Sequence, residues 1–367
     1  MLFTTFLVLF VIVLIHVASA SDINDCSVPD DIQPPKNVHY LHPSHIKVIA
    51  SIGDSITAGV AAMNIDSEFV TEDDFKQYRG LSWLSGGDPG ASSIANYIKH
   101  YSSDLFGSST GVRQLPLCEK TFFCLTYPHE FEQDQLNAAI PSAVSNTIEE
   151  QVDYISKYIG VDSSQSQNWK LINIFIGTND ISVSCMPDYR AANYEKNIRA
   201  GLARLKEKVD HAVINIVGLV HTEQIIGLTD KQPGYRKYFQ DQKTDPQLFE
   251  CMCCRLPGLG KIDIGLHVDR FNKILQSVAK EYGPDGTLGS DSFTVVYQPF
   301  PLNIKSIPPT AISNLDGYHP NINAHRFFSK ALWKELFLPK AKKYTTLDYK
   351  EDEDFYCPTA TDRIRTD

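Results

Sequence analysis

Positive charge is scarce in this 367-residue chain: 34 lysines and arginines face 44 aspartates and glutamates, for a formal net charge of −10. Without a basic field there is little to hold a phosphate backbone, so nucleic acid is not an expected partner. Tight docking on anionic membranes is disfavoured for the same reason. A second long hydrophobic run is missing after residue 20, and the polar end "TATDRIRTD" does not read as a lipid-anchor signal. A phosphate-binding loop is absent, since Arg255 stands where that pattern needs its first glycine before Gly260-Lys261. No Asn-x-Ser/Thr sequon occurs. The cluster Cys251-Met252-Cys253-Cys254 has no second Cys-x-x-Cys or His pair near it, so a zinc site is not expected. No metal or organic cofactor is implied.

What is present begins with residues 1–20, "MLFTTFLVLFVIVLIHVASA". They read as a secretory signal peptide ending in the small-x-small pattern Ala18-Ser19-Ala20, with an uncleaved anchor as the alternative. A secreted, extracellular protein is therefore expected. The eight cysteines, an even number, then suggest disulfides. Cys118 and Cys124 are close enough in sequence to close a local loop. Cys26 and Cys357 are placed to staple the two ends, and Cys185 to meet the 251–254 cluster. Residues 21–45 read as an extended lead-in, 46–340 as one catalytic-sized domain and 341–367 as an acidic tail. "YKEDEDF" within that tail reads as solvated.

Between these ends, short apolar runs alternate with helical periodicity. Buried strands are expected at 47–52, 170–177, from Ala212 and from Phe293. Asn146 or Thr147, with Glu149 or Glu150, predicts a capping box. Ile148, Val152, Ile155 and Ile159 form the face of the helix that follows. Tyr194, Ile198, Leu202, Leu205 and Val209 mark a second face, and Phe271, Ile274, Leu275, Val278 and Tyr282 a third. A last helix carries Phe327, Phe328, Ala331, Leu332 and Phe337. Strands apolar on both faces and alternating with helices predict an α/β fold, a central parallel sheet covered on both sides. Residues 221–262 are a long cysteine-bearing insertion, read either as a lid or as a disulfide-tied surface loop.

In such a sheet, ligands gather at the carboxyl ends of the strands. The first strand ends at Gly53-Asp54-Ser55 and the second at Gly177-Thr178-Asn179-Asp180. After the fourth comes Asp316-Gly317-Tyr318-His319-Pro320-Asn321. A serine, an asparagine, an aspartate and a histidine thus converge on one edge, the set that acyl transfer requires. Asp54 reads as a turn holder. Asp180, His221, His267 and His325 have no partner assignable from sequence and read as structural or exposed.

The blocks "GDSITAG", "GTND" and "DGYHPN" resemble those of the GDSL, or SGNH, hydrolase family. "YRGLSWLSGGD", "LNAAIPSAVSNTIEEQV" and "HPNINAHRFFSKALW" are similar to its phospholipase B branch, over residues 37–337. The resemblance implies a three-layer α/β/α, flavodoxin-like fold and a serine esterase acting on phospholipids and lysophospholipids. It implies Ser55 as nucleophile, His319 as general base and Asp316 as its orienting acid. Transient contact with a membrane or micelle surface goes with such a substrate; no stable protein partner is implied. Oxyanion donors would be the Ser55 N–H, the Asn179 amide and the N–H of Ser142. Ser142 is a departure, since the family has glycine there, five residues after an asparagine that is here Asn137. Thr178 is a second, minor departure. The alternatives are an esterase for other acyl esters, of carbohydrate or neutral lipid, and a weakly active secreted lipid-binding homologue.

Overall fold

The computed structural model describes residues 20–66, 70–115, 128–229, 247–255 and 264–367. The expected signal peptide, apart from Ala20, and the pair Cys118 and Cys124 lie outside the described residues.

Four apolar runs form the sheet: β1 (Ile46–Gly53), β2 (Trp169–Phe175), β3 (Ala212–Val217) and β4 (Phe293–Gln298). All neighbours are parallel and their spatial order follows the sequence. Nearly every strand residue is buried, as a parallel sheet covered on both faces demands.

The linking helices are α1 (Ser55–Ala58), α2 (Ile94–Tyr101), α3 (Ile148–Ile159), α4 (Ala191–Lys208), α5 (Ile264–Tyr282) and α6 (Ile322–Glu335). Helices α3, α4 and α5 connect successive strands in one direction, so right-handed crossovers put them on one face. They pack side by side there. Helix α2 leaves β1 in the opposite direction. It leads to extended backbone that pairs with the outer edge of β1 through Val48↔Phe106 and Ser51↔Asn137. The same handedness places α2 on the other face, where it packs against α6. The chain direction therefore reverses at β1, and its carboxyl end is the switch point at which such sheets bind ligands.

Two local expectations are corrected. Thr147 does not form a capping box, because Ser145–Thr147 is a 3-10 turn running straight into α3 and Thr147 is already helical. Its hydroxyl donates to the Val144 carbonyl instead, at 2.9 Å. Phe337 lies beyond the end of α6, though it stays buried.

Residues 341–367 are not a free tail. Phe355 and Ile364 are buried, the Ile364 N–H donates to the Leu41 carbonyl at 2.8 Å, and Cys357 is bonded to Cys26. Acidic composition set the expectation, but the interspersed apolar side chains decided the packing. The lead-in 21–45 contains three short 3-10 turns within otherwise irregular chain. Cys185–Cys253 and Cys251–Cys254 are the other disulfides among the described residues. No helix among the described residues is long and apolar enough to cross a membrane.

The Cys26–Cys357 bridge closes a loop with a sequence separation of 331 residues. Its removal as a Cys26→Ser, Cys357→Ser pair is expected to lower stability by about 2–4 kcal/mol, measured by denaturant unfolding.

Candidate active site

Strand β1 ends where no side chain fits. A Cβ on Gly53 would stand 2.2 Å from the Thr57 Oγ1 and 2.7 Å from the Phe175 carbonyl oxygen. Both polar groups of the Gly53 peptide are held by Gln151 of α3: its Oε1 accepts from the Gly53 N–H at 2.8 Å and its Nε2 donates to the carbonyl at 3.0 Å. Asp54 then caps α1, its Oδ1 accepting from the Ile56 N–H at 3.0 Å. Ser55 is thereby the first residue of α1, where a helix N–H has no intrahelical acceptor.

The loop after β4 folds over this corner. The Asp316 Oδ1 accepts from the N–H groups of Tyr318 and His319 at 2.9 and 3.0 Å, a tight turn closed by its own side chain. The Asp316 Oδ2 lies 2.6 Å from the His319 Nδ1, and the His319 Nε2 lies 2.8 Å from the Ser55 Oγ. All three residues are buried, Ser55 at 9% exposure, His319 at 5% and Asp316 at 3%. Burial acts to lower the His319 pKa, but the Asp316 and Glu250 carboxylates outweigh it and raise it well above the ordinary histidine value. Burial opposes ionisation of Asp316 too, yet the facing His319 and the two backbone N–H groups hold its pKa below the usual carboxylate range. This relay is suited to taking a proton from Ser55 and stabilising the resulting imidazolium.

Asn179 follows β2 and donates through Nδ2 to the Ala143 carbonyl at 2.8 Å; an amide nitrogen carries a second hydrogen. Ala143 follows Ser142, which sits half-buried in a turn with φ 65°, the left-handed region that favours glycine. The segment leading there is pinned to β1 by the Ala138 N–H to Ser51 carbonyl bond at 2.8 Å and the Ile140 N–H to Gly53 carbonyl bond at 3.2 Å. Among the described residues no hydrogen bond links Asn179 or Ser142 directly to Ser55; they meet at Ala143, whose carbonyl accepts from Asn179 and which follows Ser142 in the chain.

Several residues that hold the site had no role in the sequence reading. Gln151 carried a signal, since it occupies a core-facing position three residues after Ile148 and four before Ile155. Asp180 accepts from the Ser145 N–H at 2.8 Å and Oγ at 2.6 Å, tying the turn after β2 to the start of α3. Arg79 had no signal. It is fully buried, 3.0 Å from the Asp134 Oδ1, and donates to the Asn137 and Ala139 carbonyls at 2.8 and 2.7 Å. Glu250, in the insertion, places its Oε2 4.0 Å from the His319 Nδ1. His221 pairs with Glu223 at 2.9 Å, and His325 is buried in α6.

Among the described residues, Glu250, Asp316 and His319 bring possible ligand atoms within 4.8 Å of one another. The His319 Nδ1 is already committed to Asp316, so a cation there would dismantle the relay. Beside the relay lies an apolar cavity of about 30 Å³ walled by Ile56, Trp83, Phe175, Phe300, Tyr318 and Pro320.

Because Arg79 binds two carbonyls of the Asn137 segment and a buried carboxylate, Arg79→Met is expected to destabilise the protein by about 3 kcal/mol. Denaturant unfolding measures the loss.

Residues 49–332 match the family model described as GDSL-like Lipase/Acylhydrolase. The chain is 28% identical over 340 residues to "Phospholipase B1, membrane-associated" of Rattus norvegicus, covering 89% of this chain and 22% of that protein. It is 27% identical over 346 residues to the protein of the same name from Homo sapiens, again covering 89% and 22%. The chain thus spans about a fifth of the length of these curated relatives. With a matched region running from β1 through nearly all of α6, the chain belongs to the GDSL-like lipase/acylhydrolase family.

Proposed function

We propose that this chain is a secreted serine hydrolase that cleaves acyl ester bonds of phospholipids and lysophospholipids. The observation that carries the reading is the continuous relay from Ser55 through His319 to Asp316, at 2.8 and 2.6 Å. Ser55 Oγ attacks the acyl carbonyl while the His319 Nε2 takes its proton. The oxyanion is met by the Ser55 N–H, the Asn179 amide and the Ser142 N–H. The tetrahedral intermediate collapses, His319 gives the proton to the leaving alcohol, and an acyl-Ser55 ester remains. A water deprotonated by His319 then attacks that ester and releases the free fatty acid. Disulfides accord with an oxidising compartment.

The phospholipid class is supported by the names of the relatives and by the apolar cavity lined by Ile56, Tyr318 and Pro320, the chain neighbours of Ser55 and His319. That cavity has room for about one or two waters, so an acyl chain entering it must part its walls. Ser142 is the observation behind a second reading, a lipid-binding homologue with weak turnover, because a left-handed L-residue is strained where the third oxyanion donor belongs.

Ser55→Ala is expected to abolish fatty acid release from lysophosphatidylcholine and phosphatidylcholine in mature protein shown to be folded. Release that survives the substitution would sink the serine mechanism, and no release from the parent protein would favour the second reading. Ser142→Gly relieves the left-handed strain and is expected to add about 0.5–1 kcal/mol of stability, without loss of kcat; thermal unfolding and initial rates check it. The reaction needs neutral His319, whose pKa is raised. Activity is therefore present above that raised value and lost as pH falls through it. The acid limb of kcat/KM should lie above the ordinary histidine value of about 6.5.

A further inference from the structure

The described part of the 221–262 insertion returns to the catalytic loop at three points. The Thr229 Oγ1 and Gln247 Nε2 donate to the Gly317 carbonyl at 3.1 and 3.0 Å, between Asp316 and His319 in sequence. Glu250 sets its carboxylate 4.0 Å from the His319 Nδ1. That hydrogen is already donated to Asp316, so Glu250 acts through charge rather than through a hydrogen bond. Its place is fixed on both sides. The Ser182 hydroxyl donates to the Glu250 carbonyl, and the next residue begins the Cys251–Cys254 disulfide, with Cys253 joined to Cys185 just after the Asn179 turn. A side chain so close to a catalytic histidine, on a segment anchored by two disulfides, is a built feature of the site.

We propose that Glu250 is a positioning residue of the reaction, a second carboxylate held against His319 by the disulfide-tied insertion, which stabilises the imidazolium formed as Ser55 is deprotonated and sets the pH range in which the enzyme works. The proposal rests on the hydrolase reading above. The charged groups around Glu250 are His319 and Asp316 from the catalytic loop and Asp54 from the start of α1. Burial pushes the Glu250 carboxyl up to about 7; His319 opposes that rise, while Asp316 and Asp54 add to it. Glu250 thus changes charge near neutrality, and its support for the imidazolium is fullest above that range.

The test compares the full mature chain with Glu250→Gln, Glu250→Asp and Ser55→Ala. Hydrolysis of a soluble butyrate ester is followed from about pH 5 to 10.5, a range that reaches from below the ordinary histidine value to above the raised His319 value of about 9. Imidazole NMR titrates His319, assigned by its loss in His319→Gln. In Glu250→Gln the His319 titration and the acid limb should both move down by about one pH unit. Plateau kcat should fall about threefold to tenfold with KM unchanged, and Glu250→Asp should recover most of it. A His319 titration and acid limb unmoved in both Glu250 variants would overturn the proposal, as would a loss of activity without either shift. Parent protein with no Ser55-dependent turnover would instead overturn the hydrolase reading; the His319 titration would then still decide whether Glu250 and His319 are coupled.

Discussion

The backbone of Gly53 runs so close to Thr57 and to the Phe175 carbonyl that no side chain fits between them. The rest of the site depends on that close approach. It lets β1 turn at once into α1, with Asp54 as cap, so that Ser55 is delivered at the sheet edge on a helix N-terminus. Gln151 satisfies the Gly53 peptide from the α3 side, while the Asn137–Ile140 segment pairs with β1 from the outer edge. The two directions in which the chain leaves β1 therefore meet again at one residue. A parallel sheet can open a crevice only where its crossovers diverge.

Electrostatics set the second condition. Asp54, Asp316 and Glu250 are three carboxyl groups near one imidazole, with Asp180 acting on Asp54, and each meets burial differently. Asp316 is held ionised by His319 and two backbone N–H groups. Asp54 is pushed up to about 7 by burial, with the Ile56 N–H pulling the other way. Asp180 rises to about 6 for the same reason, moderated by its bonds from Ser145. A positive histidine offsets Asp54, Asp316 and Glu250, which is why its protonated form is favoured despite burial. In the proposed acyl transfer, such a surrounding would stabilise the charge that appears on His319.

Much of this was legible in the chain itself. The strand positions, the faces of α3 and α4, and the arrival of Ser55, Asn179, Asp316 and His319 at one edge follow from period, apolar runs and the rule that parallel strands end on the same side. The capping box failed because an Asn or Thr followed three residues on by Glu does not reveal whether the preceding turn is already helical. The acidic tail misled because charge density hid the spacing of Phe355 and Ile364, even though Cys357 already reads as a staple to Cys26. Arg79 and Glu250 were invisible: their partners are 55 and 69 residues away in sequence, at Asp134 and His319, and nothing local marks either.

Sequence alone determined the local chemistry, namely which residue types end each strand, which glycine permits the turn and which aspartate can close a loop onto its own backbone. These depend on neighbours a few residues apart, and short-range sterics and hydrogen bonding decide them. Tertiary structure decided which of the remaining polar groups share a site. Whether Glu250 lies beside His319, whether Arg79 grips the Asn137 segment, and whether Ser142 must adopt a left-handed turn all depend on how distant segments dock. Docking is set by core packing and disulfide closure summed over the whole chain, and no short window of sequence contains that sum.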